Sequence, residues 1–144
     1  MNRLSLIFCV FVALLGCRST ITNQNNPALG MRDTIAVAQD SGVNYVELTS
    51  KALNRSESSL HCIFMLTDKF DGASSDGHAG VLRALLTRTG DDFFGMQLSR
   101  ESAEVRNAVH NQLLYDFGWG NTEIRISELK QWYPKTFAEC HLSD

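Results

Sequence analysis

The sequence predicts an all-α fold, a compact, irregular bundle of about five or six short helices. Three observations lead there. Apolar residues recur at spacings of three and four from Asn44 onward. Ser, Asn and Asp stand where helices would begin, and Gly where they would end. Two prolines and ten glycines in 144 residues are too few for a loop-dominated or all-β chain. Hydrophobic residues at 44% and charged residues at 20% are ordinary for a globular domain and exclude a disordered one. A net charge of -3 without a basic stripe supplies no electrostatic footprint for DNA or RNA, so no nucleic-acid partner is expected.

The elements follow in order. Residues 31–43 read either as a short strand, from the alternation at Ile35 and Val37, or, preferably, as a short helix with Asp33 at its start. Asn44 caps a helix whose buried stripe is Tyr45, Leu48, Thr49 and Ala52. Ser56 caps the next, with Glu57 in the first turn and Leu60, Ile63, Phe64, Met65, Leu66 and Phe70 over most of its circumference. That distribution marks it as the most buried helix, and Gly72 is read as its C′ residue. After a loop over 73–76, Val81, Leu82, Leu85 and Leu86 form one face, ended at Thr89-Gly90. Asp91-Asp92 opens a short helix with Phe93, Phe94, Met96 and Leu98. Ser102 opens another, with Val105, Ala108, Val109, Leu113 and Phe117 on one stripe and Gly118 at its end. Ser127 caps the last, which stops before Pro134. Placing Glu57 over Ser102, an offset of 45, aligns Leu60 with Val105, Ile63 with Ala108 and Phe64 with Val109. In period this resembles HEAT and armadillo repeats, an architecture set beside the irregular bundle.

The first residues differ in kind. Arg3 is the only charge before position 18, and Leu4 to Leu15 is apolar except for Ser5. As a helix this run measures ~18 Å, short of the roughly 30 Å hydrocarbon core of a bilayer. A positive start, a short apolar run and a small residue at its end are marks of a secretory signal. The run closes on Leu14-Leu15-Gly16-Cys17, which resembles the bacterial lipobox, although Leu15 stands where Ala or Ser is more usual. The resemblance covers residues 1–17. It implies a signal peptide over 1–16, removed with Cys9, and Cys17 as the lipidated first residue of the mature chain. Two or more acyl chains anchor a protein lastingly where one does not. Arg18, not an aspartate, follows the cysteine, which in this class favours the outer membrane. Residues 17–30, rich in Asn and without apolar periodicity, read as a tether, and 31–144 as the helical domain. Thirteen residues of flexible coil span ~20 Å, which keeps the domain near the membrane surface.

Once Cys9 and Cys17 are set aside, Cys62 and Cys140 remain. In an oxidising compartment they can bridge, closing a loop of about 79 residues worth about 4–5 kcal/mol. Otherwise Cys62 is a buried apolar residue and Cys140 an exposed thiol. None of His61, His78, His110 and His141 sits in an HExxH or zinc-finger spacing, and His61-Cys62 and Cys140-His141 point about 100° apart on a helix. No P-loop, GxSxG or dinucleotide fingerprint is present, so no cofactor is expected. The run Asp68–Gly80 holds the best metal or catalytic candidates, Asp71, Asp76 and His78, but it fails the EF-hand pattern and reads more simply as a helix end followed by a cap. The expected function is therefore a membrane-tethered envelope lipoprotein whose helical domain binds a protein partner or serves structurally. The alternative is a small envelope hydrolase or metal-dependent enzyme using the Asp71–His78 segment.

Overall fold

The structure is a computed structural model, and it describes residues 32–116 and 122–141. The expected signal peptide, Cys17 and the tether lie outside these residues, as do Phe117, Gly118 and Trp119. The described residues form eight α-helices and no strand: α1 Arg32–Asp40, α2 Tyr45–Leu53, α3 Glu57–Met65, α4 Gly72–Thr89, α5 Asp91–Leu98, α6 Ala103–Asp116, α7 Thr122–Trp132 and α8 Pro134–Cys140, with a single 3-10 turn at Thr67–Lys69. The short helix preferred at the start of the domain is present as α1, and the helix not expected is α8. Within the stretch read as strand or helix, the helix runs Arg32–Asp40, and Pro134, which stops α7, also starts α8 as its first residue, where its fixed φ and missing N–H suit a helix. Ser127 is no cap, because α7 already begins at Thr122.

The expected caps at Asn44 and Ser56 are made: Asn44 Oδ1 accepts from the Glu47 N–H at 3.2 Å and Ser56 Oγ from the Ser59 N–H at 3.4 Å. The reading of 66–76 changes. Helix α3 stops at Met65, Phe70 turns extended, and Gly72 is the first residue of α4 rather than the end of α3. The cause is a capping arrangement that the loop reading hid. The Asp71 N–H donates to Ser74 Oγ at 3.0 Å, and that hydroxyl donates to the Asp71 carbonyl at 2.7 Å, so helix begins immediately after Asp71.

Packing is that of a closed bundle. Helix α4 meets α1, α2, α5 and α6, while α8 meets α5, α6 and α7. A stacked repeat array touches only sequence neighbours. Contacts of α1 with α4 and of α5 with α8 reach across the chain instead. The core gathers Leu60, Ile63 and Phe64 of α3, Val81, Leu82, Leu85 and Leu86 of α4, Phe94 and Leu98 of α5, Val109 and Leu113 of α6 and Leu129 of α7. The rings of Phe64 and Phe94 meet edge to face at 5.0 Å, a pairing worth about 1 kcal/mol beyond the area buried.

Two junctions depend on special backbone. Arg55, after α2, has φ 61°, unusual for a side-chain-bearing residue. Its guanidinium donates to the Thr89 carbonyl at 2.8 Å and lies 5.6 Å from the centre of the Phe93 ring, so one side chain ties the end of α2 to the α4–α5 corner. At that corner Gly90 takes φ 87°, ψ 154°, a region essentially closed to other residues. Helices α5 and α8 then approach backbone to backbone at Gly95, where a Cβ would stand 3.1 Å from the Thr136 nitrogen.

Asp91, at the start of α5, also serves a second helix. Its two carboxylate oxygens accept from the Lys135 N–H at 2.9 Å and the Thr136 N–H at 2.8 Å, capping α8 from outside. Gly90→Ala is expected to destabilise the fold by about 1–3 kcal/mol through backbone strain alone, since nothing occupies the space a Cβ would take. Asp91→Ala should cost about 1–2 kcal/mol by leaving both N–H groups of α8 without their acceptor. Urea unfolding followed by circular dichroism measures both effects.

Candidate functional site

The three residues of the Asp71–His78 segment do not converge. Asp71 lies at the start of α4, Asp76 is exposed, and His78 is fully buried. The Tyr115 hydroxyl donates a hydrogen bond to Asp76, which holds the phenol above its usual range. The segment is helical from Gly72 on, so residues 76 and 78 leave the axis about 160° apart, while Asp71 lies about 10 Å along the axis from His78. Among the described residues, no group of three or more His, Cys, Asp or Glu is placed to hold one metal ion.

His78 instead forms a node inside the core. The Tyr45 hydroxyl lies 2.6 Å from its Nδ1 and the Thr67 hydroxyl 3.1 Å from its Nε2. A neutral imidazole donates at one nitrogen and accepts at the other, and each hydroxyl can take either part, so both tautomers are satisfied. The Phe70 ring stacks on the imidazole at 4.4 Å. This chain has the outline of a nucleophile, a base and an orienting group. Exposures of 3% for Thr67, 0% for His78 and 1% for Tyr45 deny any substrate access, and its role is to join α2, the 3-10 turn and α4. Burial holds the imidazole neutral down to about pH 3 and raises the Tyr45 phenol well above its usual range.

A second polar cluster lies where α3 faces the α5–α6 connection. His61 Nδ1 is 2.7 Å from Glu101 Oε1, the imidazole being half exposed and the carboxylate nearly buried. Arg106 donates to the Glu101 carbonyl at 2.9 Å, and Arg100 donates to both Glu57 and Gln97. A histidine held by a carboxylate is the orienting half of a general-base pair. The His61–Glu101 bond ties α3 to the α5–α6 connection.

The third cluster joins α6 to the end of α8. His110 and His141 meet edge to face with ring centroids 4.6 Å apart, and His141 stacks on Phe137 at 4.1 Å. His141 Nδ1 donates to the Phe137 carbonyl at 2.9 Å. His110 Nε2 is buried without a hydrogen-bond partner. Burial, and secondarily the proximity of His141, lowers the pKa of His110 and favours its neutral form.

The disulfide expected between Cys62 and Cys140 is absent. Cys140 is a free, buried thiol, pushed up to about 12 mainly by burial. The two cysteines sit on helices with different neighbours: α8 packs on α5, α6 and α7, and α3 on α2, α5 and α6. Cys17 lies outside the described residues. Sequence reasoning missed the Tyr45–His78–Thr67, His61–Glu101 and His110–His141 pairings, since each joins residues that are distant in sequence, and only the polar character of single positions could have hinted at them. No protein-family model, curated protein or solved structure matches the chain.

The His78 node makes stability depend on pH in a definite direction. Its pKa is lower folded than unfolded, so between about pH 6.5 and 3 the unfolded chain takes up a proton that the folded one refuses. The node's contribution is complete above that window and is lost as pH falls through it, with a slope of up to about 1.4 kcal/mol per pH unit. Melting temperatures measured from pH 7 to pH 4 are expected to fall less steeply in His78→Gln than in the unaltered chain. Equal slopes would show that His78 titrates normally.

Proposed function

We propose that the chain is a lipoprotein of the bacterial cell envelope, anchored through acylated Cys17, whose helical domain acts as a protein-interaction or structural module beside the membrane. The observation that carries this reading is the coincidence of Arg3, the short apolar run and Leu14-Leu15-Gly16-Cys17. A polar linker and an all-helical domain with its own core suit a tethered body. Among the described residues no helix is long and apolar enough to cross a membrane. Exposed Leu53, Met65, Met96, Tyr115 and Trp132 offer apolar contacts to a partner. Arg18 after the cysteine favours the outer membrane. The rival enzyme reading needed Asp71, Asp76 and His78 in one cleft, and their placement does not support it.

Mass spectrometry of the mature amino-terminal peptide tests the anchor. The expected product begins at residue 17 and carries acyl chains that survive reduction. Cys17→Ser is expected to leave an unprocessed chain without the added lipid mass, and the processed wild type should enter the detergent-rich phase on phase separation. An unmodified amino terminus elsewhere, or a Cys17 freed by reductant alone, would overturn the proposal. Cross-linking in intact envelopes, compared between the anchored chain and one released by a cleavable signal, then identifies what the domain touches.

A further inference from the structure

We propose that His110 and His141 form a chelating site for a divalent transition ion of the zinc or nickel class, which would clamp the end of α8 to α6. Three independent geometric facts point there. First, the two imidazoles lie 4.6 Å apart by ring centroid. Second, the Phe137 carbonyl can only accept, so His141 Nδ1 must carry its proton and Nε2 presents the lone pair. A backbone carbonyl bonded to the far nitrogen is the usual support of a metal-bound histidine, fixing both tautomer and ring orientation. Third, His110 Nε2 is buried and makes no hydrogen bond. A buried polar atom left without a partner calls for one, and an ion is among the standard answers.

The surroundings define what such a site can be. Among the described residues no group of three or more His, Cys, Asp or Glu is placed to hold one ion, so water would fill the positions that the two imidazoles leave, on the side of the exposed His141. His141 is exposed and lies against the His110 ring. A modest swing of the His141 ring therefore brings its Nε2 toward that of His110 without moving a helix. Imidazole nitrogens with water favour zinc, nickel and copper over magnesium or calcium, which prefer oxygen.

The test uses the full chain, purified in detergent without a histidine tag, titrated calorimetrically with Zn2+ and with Ni2+. One ion per chain is expected, with affinity at least tenfold weaker in His141→Ala and in His110→Ala and unchanged in His61→Ala. Zn2+ should raise the melting temperature of the wild type and leave that of His141→Ala unmoved. His141 is exposed at the C-terminal end of α8, so its variant stays folded even if His110→Ala does not. As a second readout, Ni2+ should broaden the imidazole proton signals of His110 and His141 and spare that of His78. Binding of equal strength in His141→Ala, or broadening confined to other histidines, would overturn the proposal.

Discussion

The bundle turns on a single buried imidazole. His78 sits without solvent contact between two hydroxyls and under an aromatic ring, on the longest described helix. A polar group with no access to water must find its hydrogen bonds in the protein, and an unmade bond there costs about 1–3 kcal/mol. Tyr45 can reach Nδ1 only if α2 lies across α4, and Thr67 can reach Nε2 only if the 3-10 turn closes beneath it. The geometry of three elements is thereby set by one ring, while apolar contact alone would tolerate small slides of one helix over another. Thr34 adds a parallel tie, donating to the Ser74 carbonyl at 2.8 Å and fixing α1 on the first turn of α4.

A different device governs the opposite end. Helix α8 has seven residues, too few to be stable alone, and begins with a proline. It holds its place because Asp91 supplies an acceptor for two N–H groups at its start and because Gly95 lets the backbones close to contact. The same aspartate favours the N-terminus of α5 through the helix dipole, so one charge serves two helix starts. Lys135 reaches Asp92 at 2.6 Å, but that pair is largely exposed and adds little.

These ties bear on function through what they leave free. Histidine, the most versatile catalytic residue, is spent on structure at His78 and on an interhelical bond at His61. The remaining pair, His110 with His141, lies at the end of α8 beside a thiol that burial keeps inert. The polar groups described are engaged in joining helices to one another. The anchor reading rests on residues 1–17 and is independent of how the body folds.

Much of the helix map is local information. Asn44 and Ser56 mark starts because a short polar side chain bonds an N–H three residues on, and Leu82, Leu85 and Leu86 share a face because of the helical period. The same is true of the lipobox resemblance, a string of neighbouring residues. Where local signals competed, the reading failed: Gly72 satisfied the rule for a helix end, yet the Asp71–Ser74 capping bonds made it a helix start. Pro134 was legible as a stop but not as the beginning of α8. The partners of His78, the reach of Asp91, the separation of Cys62 from Cys140 and the meeting of His110 with His141 were decided by tertiary structure alone. Each depends on which helix faces lie against each other, and that choice belongs to the packing of the whole core, which no stretch of one helix contains.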